Sequence, residues 1–271
     1  MKKEGPIGVF DSGIGGLSVL KQFMRFIPYE SYVYLGDTAR VPYGNKTPET
    51  VIEYSIQSAS FLIEKGAKLI VIACNTASSV ALEEVRKNVS VPVIGMINPG
   101  ATAALRTTSN GNIGVIGTRA TISSQSYDKE LKALSSEKKI NIFSQACPLF
   151  VPIVEEGWLR HQASKIIAEE YLNDLKSHSI DTLILGCTHY PLLAQLISEI
   201  LPNVALIDSG EHAAVSAIRV LGEAGLLAQE RDEYSFRRQV EFYVTDIPST
   251  FHEIAERFLG FDVDSPVRVV L

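Results

Sequence analysis

The stretch Leu69-Ile70-Val71-Ile72-Ala73-Cys74-Asn75-Thr76 is an apolar run that ends on a cysteine and a polar pair, and Thr182-Leu183-Ile184-Leu185-Gly186-Cys187-Thr188-His189 repeats that arrangement in the second half of the chain. Short apolar runs without polar alternation read as strands buried on both faces, the form strands take in a parallel sheet covered by helices. In open α/β sheets ligands bind at the carboxyl ends of the strands, so the two thiols flank one crevice if the halves face each other.

Working outward, further apolar runs lie at Ile7 to Phe10, Tyr32 to Leu35, Val91 to Ile94, Ile113 to Ile116, Ile140 to Phe143 and Val204 to Ile207. Strands alternating with helical patterns predict βαβ units and a mostly parallel sheet flanked by helices. Between the second and third runs, Thr47 can cap a helix with Pro48 in its first turn, Ile52, Ile56, Ala59 and Ile63 form one stripe, and Gly66 can end it. Ile7-Gly8-Val9-Phe10-Asp11-Ser12 also resembles Ile113-Gly114-Val115-Ile116-Gly117-Thr118. A repeat this long predicts a duplication: two similar α/β domains related by a pseudo-twofold, with the site between them. Asn98-Pro99-Gly100 and the segment around Ser209-Gly210 read as crossings, which assigns residues 1–97 and 210–271 to a discontinuous first domain and residues 98–209 to the second.

Composition bounds the function. A chain of 271 residues with 46% hydrophobic and 21% charged residues can bury a sizeable core without staples. A formal net charge of -6 lacks the basic excess of a phosphate-backbone binder, so nucleic acid is not an expected partner. No apolar run reaches the roughly 18 residues of a membrane span, and Asp11 interrupts the apolar segment after Met1-Lys2-Lys3, which predicts no membrane partner and a cytoplasmic protein. Three cysteines without a Cys-x-x-Cys spacing fit a reducing compartment.

Cys74 and Cys187 are the chemistry-bearing candidates. Each could be a small buried hydrophobe, but two in equivalent settings point to function. A thiol becomes a useful base where amides or a cationic neighbour favour the thiolate. Zinc held by Cys74, Cys187, His189 and Asp11 is a competing reading with acceptable ligand types but no zinc-ligand spacing. Cys147 has no counterpart and reads as structural. Asp11-Ser12-Gly13-Ile14-Gly15-Gly16 follows a strand and opens a helix, which suits an anion or a tight turn, but it matches neither the dinucleotide nor the P-loop pattern. Asp11 adds a carboxylate able to receive an ammonium group. Asp37-Thr38-Ala39-Arg40-Val41-Pro42-Tyr43-Gly44 is a loop at another strand end that can line the crevice, and Glu155-Glu156 is by default a solvated pair.

Taken together, Asp11-Ser12-Gly13-x-Gly15-Gly16, Pro42-Tyr43-Gly44, Cys74-Asn75-Thr76 and Gly186-Cys187-Thr188-His189 resemble the glutamate racemases of the aspartate/glutamate racemase superfamily. The resemblance implies interconversion of L- and D-glutamate without a cofactor, supplying D-glutamate for peptidoglycan. Carried over by motif, Cys74 would deprotonate D-glutamate and Cys187 L-glutamate, with Asp11 and His189 assisting or handling the ammonium. Ser12, Pro42, Tyr43, Gly44, Asn75, Thr76, Thr118, Thr121 and Thr188 would join them in binding substrate. Glu155 would be an assisting carboxylate, although the motif does not choose between it and Glu156. No metal is implied, glutamate is the expected small-molecule partner, and a homodimer is left open. The alternatives are a related racemase acting on aspartate or a hydantoin, and a small-molecule-binding protein that does no chemistry.

Overall fold

The computed structural model describes residues 4–135, 139–228 and 240–271, so Met1 to Lys3 of the amino-terminal segment lie outside the described residues. The chain begins β1 (Ile7–Asp11), α1 (Leu17–Phe26), β2 (Tyr32–Gly36), α2 (Pro48–Glu64), β3 (Leu69–Ile72), α3 (Asn75–Val80), α4 (Leu82–Asn88) and β4 (Val93–Ile94). It continues through α5 (Ile97–Thr107), β5 (Asn112–Gly117), α6 (Arg119–Ser123), α7 (Ser126–Ser135), β6 (Asn141–Ala146), α8 (Phe150–Glu155), α9 (Gln162–Ser177), β7 (Thr182–Gly186), α10 (Ala194–Ile200) and β8 (Ala205–Asp208). It closes with α11 (Ser209–Glu223), β9 (Val240–Val244), α12 (Phe251–Leu259) and β10 (Val267–Arg268).

The strands form a six-stranded sheet in the order β10-β9-β2-β1-β3-β4 and a four-stranded sheet in the order β6-β5-β7-β8. Every described pairing is parallel. The order β2-β1-β3-β4 in the first sheet is the order β6-β5-β7-β8 in the second, the arrangement a duplicated unit leaves behind. Registers match as well: Ile7 pairs with Leu69 and Ile113 with Thr182. Continued past the strand ends, these registers set Ser12 level with Cys74 and Thr118 level with Cys187.

Strands β1, β2, β3 and β7 are buried along their whole length, as parallel strands covered on both faces must be. Gly8 in β1 lets α2 approach closely, since a Cβ there would lie 3.0 Å from the Cβ atoms of Ala67 and Leu62. One apolar cluster joins the halves, running from Leu17 and Leu20 of α1 through Ala213 and Ala217 of α11 to Leu183 and Leu185 of β7. A buried ion pair adds a tie within the half that carries the six-stranded sheet: Lys68 Nζ lies 2.6 Å from Glu30 Oε2 and donates to the carbonyl of Leu226, just beyond α11. Removing one partner of such a pair strands a buried charge, which costs about 3–5 kcal/mol.

Helix α2 starts and stops where its sequence signals lie. Thr47 Oγ1 accepts from the Thr50 amide, Pro48 occupies the first turn, and Gly66 has φ of 81°, the left-handed conformation glycine tolerates. Its expected stripe is displaced: Val51, Ser55, Ser58, Ala59 and Leu62 are the buried residues, with Ile52, Ile56 and Ile63 half-buried beside them. Serines occupy the deep face because Ser55 and Ser58 return their hydroxyls to the carbonyls of Val51 and Tyr54. Asn98-Pro99-Gly100, read as a crossing, lies inside α5, where proline is tolerated in the first turn.

Candidate active site

A cavity of about 370 Å³ opens between the carboxyl ends of the two sheets. Its walls come from the segments that follow β1, β2, β3, β5 and β7, together with α8. Cys74 sits at the amino-terminal cap of α3, its Sγ 3.5 Å from the Ala77 amide. Cys187 follows β7 directly. Both side chains line the cavity although they are nearly buried, at 6% and 7% exposure.

Electrostatic surroundings differ between the two thiols. Burial pushes the Cys74 thiol up to about 12, and the charge of Asp11 acts in the same sense, while the Ala77 amide and the Ser12 hydroxyl pull it down. The local amides are therefore outweighed, and Cys74 is held as a thiol at neutral pH. Beside Cys187 stands His189, whose Nδ1 is 3.8 Å from the sulfur and whose Nε2 is 2.9 Å from Glu155 Oε1. Burial disfavours a charged ring, but the bonds to Cys187 and Glu155 and their charges prevail and lift its pKa to about 10. An imidazolium thus faces Cys187 at neutral pH.

Asp11, the last residue of β1, is 1% exposed. Its Oδ2 accepts from the Gly13 amide at 2.9 Å, whereas Oδ1 has no protein partner. Burial raises its pKa, opposed by the charge of His189 and the amides of Gly13 and Gly16. Oδ1 is thus a buried acceptor that the protein leaves unpaired, which costs about 1–3 kcal/mol, more when charged.

Hydroxyls and amides surround this centre. Asn75 lines the cavity with its Oδ1 occupied by the Tyr127 hydroxyl at 2.7 Å, which leaves the amide N–H groups for a ligand. Thr76 and Thr118 line it with their hydroxyls 2.9 Å apart. Ser12, Pro42, Gly44 and Thr188 complete the expected wall. Tyr43 also lines it, but its hydroxyl is turned to Asp37 at 2.5 Å. Thr121 is outside the cavity lining, its hydroxyl 3.0 Å from Thr118 and 3.3 Å from Thr76, behind those two.

Glu155, not Glu156, meets His189, because α8 directs its last residue into the cavity while Glu156 caps the helix outside. Arg257 of α12 fixes that helix end by donating to the carbonyls of Val154 and Glu155, and the Phe258 ring stands edge-on to His189 at 5.3 Å. Sequence reading missed this α12 contribution, and also Asn45, Arg119, Pro148, Val151 and Pro152 in the lining. Val151 lies one helical turn before Glu155 and Arg119 directly follows Thr118, so their positions were inferable from neighbours already singled out. Cys147 is fully buried and away from the cavity, with its Sγ toward the Gln145 carbonyl. Among the described residues, no three His, Cys, Asp or Glu side chains gather as a metal site. Nor is any described helix long and apolar enough to cross a membrane.

The Asp/Glu/hydantoin racemase family model matches residues 19–217. A glutamate racemase of Geobacter metallireducens is 46% identical over 266 residues, covering 98% of this chain and 96% of that protein. The crystal structure of a Francisella tularensis glutamate racemase in complex with D-glutamate superposes with a TM-score of 0.91 at 38% identity, over 99% of this chain and 98% of that one. An aspartate racemase of Picrophilus torridus superposes with a TM-score of 0.57 at 21% identity, over 86% of this chain and 99% of that one, a likeness of fold alone.

Proposed function

The chain belongs to the Asp/Glu/hydantoin racemase family, and on that premise we propose that it interconverts L- and D-glutamate by two opposed cysteines, with no cofactor, supplying D-glutamate for peptidoglycan in the cytoplasm. The observation that carries this reading is the opening of two equivalent strand-end thiols, Cys74 and Cys187, onto one cavity beside the unpartnered oxygen of Asp11.

Inversion at Cα requires that a proton leave one face and another arrive on the opposite face. In the L-to-D direction the Cys187 thiolate takes the Cα proton and the Cys74 thiol delivers its own to the other face, leaving Cys187 protonated and Cys74 as thiolate. The reverse direction exchanges those roles, so one arrangement of protons serves each enantiomer. In this reading the His189 imidazolium, held by Glu155, supports negative charge on Cys187. Asp11 Oδ1 receives the substrate ammonium. The amide of Asn75 and the hydroxyls of Ser12, Thr76, Thr118 and Thr188 receive its two carboxylates. Without an electron sink, the carbanion depends on these fixed donors and on exclusion of water from the pocket when substrate fills it.

The test is circular dichroism of L-glutamate incubated with purified, dialysed protein. Decay of the signal to zero supports racemisation, and a persistent signal refutes it. Aspartate in the same assay separates the related racemases: comparable rates on both acids would favour the alternative substrate class. Tight glutamate binding with no exchange of the Cα proton would instead identify a binding protein.

A further inference from the structure

The glycines of Asp11-Ser12-Gly13-Ile14-Gly15-Gly16 invite the reading that the backbone needs a positive φ, yet none of the three is among the positive-φ residues. Space is what they supply. A Cβ on Gly15 would lie 2.3 Å from His189 Cε1, 2.5 Å from His189 Nδ1 and 2.5 Å from Thr188 Oγ1. Contacts under 3.0 Å do not occur for real Cβ atoms, so one side must move.

The duplication shows what stands at the same place in the other half. Counted from the start of each repeat, Gly15 corresponds to Thr121, and counted from each cysteine, Thr76 corresponds to His189. Thr121 faces Thr76 across the interface at 3.3 Å, and Gly15 faces His189 across it in the same way. One half thus opposes two residues of middle size, and the other opposes a large ring to no side chain at all.

From this exchange we infer that Gly15 is a positioning residue for His189: its missing side chain is what seats the imidazole between Cys187 and Glu155. His189 has no slack elsewhere. Ser18 Oγ donates to the Thr188 carbonyl at 2.6 Å and pins the backbone before it, Phe258 closes one side, and Glu155 is itself held by Arg257. A methyl group at position 15 therefore displaces the ring from Cys187, not the backbone from the ring. This inference rests on the two-base reading for its kinetic consequences but not for its packing.

The experiment is a double-mutant cycle of Gly15→Ala and His189→Ala, read by thermal unfolding and by racemisation of glutamate deuterated at Cα. Gly15→Ala alone lowers kcat at least about tenfold. It raises the deuterium effect for L-glutamate, whose proton goes to Cys187, above that for D-glutamate. On the His189→Ala background the same substitution changes kcat/KM less than about threefold, and the Tm loss of a few degrees shrinks by more than half. Equal losses on both backgrounds overturn the inference, as does an alanine variant with wild-type rate and isotope effects. If Gly15→Ala does not fold, folding of the double variant supports the inference and failure of both overturns it. Should wild-type protein leave glutamate unchanged, the functional reading fails, while the Tm coupling still decides the role of Gly15.

Discussion

Cys187 Sγ lies 3.8 Å from the Nδ1 of His189, a ring that carries a proton, whereas Cys74 has the Asp11 carboxylate as its principal charged neighbour. Two thiols in equivalent strand-end positions thus have different charged neighbours, a cation beside Cys187 and a carboxylate beside Cys74.

Folding takes up a proton at His189, because its pKa rises from the unfolded value of 6.5 to about 10. The stability gained is complete below pH 6.5 and is lost as pH climbs through about 10. Glu155 is 39% exposed at its side chain, so solvent screening reduces the effect to about 1 kcal/mol. The Tm advantage of the wild type over His189→Asn should fall by about 2–4 °C between neutral pH and pH ~10. A difference that stays constant across that range would refute the coupling.

Asp11→Asn replaces the carboxylate proposed to accept the ammonium by an amide of nearly the same shape. Turnover should drop about 10²-fold or more. Stability at neutral pH should hold or increase, because burial raises the Asp11 pKa and the ionised form is the one the fold disfavours. Unchanged kcat/KM in a folded variant would remove Asp11 from the site.

Either Cys74→Ser or Cys187→Ser should bring racemisation close to zero, since a serine hydroxyl ionises far less readily than a thiol and supplies almost no anionic base at neutral pH. With wild-type protein in deuterated water, early product should carry deuterium at Cα while recovered substrate carries little, in both directions. Substrate exchange as fast as product formation would point to a single base.

Arg119 is the one lysine or arginine among the described residues lining the cavity, and it is exposed. A dicarboxylate approaching a chain of net charge -6 gains from a cation at the entrance. Arg119→Gln should raise KM about three- to tenfold, leave kcat nearly unchanged and flatten the dependence of kcat/KM on salt. Equal salt slopes for both proteins would exclude this role.

Local signals made much of the architecture legible. Unbroken apolar runs such as Leu69 to Ala73 could only be buried strands, and Thr47, Pro48 and Gly66 bounded α2 by capping chemistry that depends on a few adjacent residues. What was not legible depends on partners far along the chain. Strand β10 has two residues, both exposed, and β9 begins with a half-buried and an exposed residue, so both gain their identity from pairing, β9 with β2 and β10 with β9. Glu155 was distinguished from Glu156 only by the turn at which α8 stops, and Arg257 reaches that turn from near the carboxyl terminus. Thr121 matched a binding motif, yet the path of α6 puts its hydroxyl behind two other threonines. The meaning of Gly15 needed the ring of a residue in the opposite repeat.

Because β9 pairs with β2, the six-stranded sheet draws on both ends of the polypeptide, while the four strands of the other sheet lie consecutively between them. During synthesis the second sheet is complete while β9 and β10 are still to be translated. Until then the edge of β2 stays open, and α12 follows β9 in the chain. A chain cut before β9 would therefore carry both cysteines and every described residue of the cavity lining, yet lack the Phe258 that flanks His189 and the Arg257 that holds the backbone of Glu155.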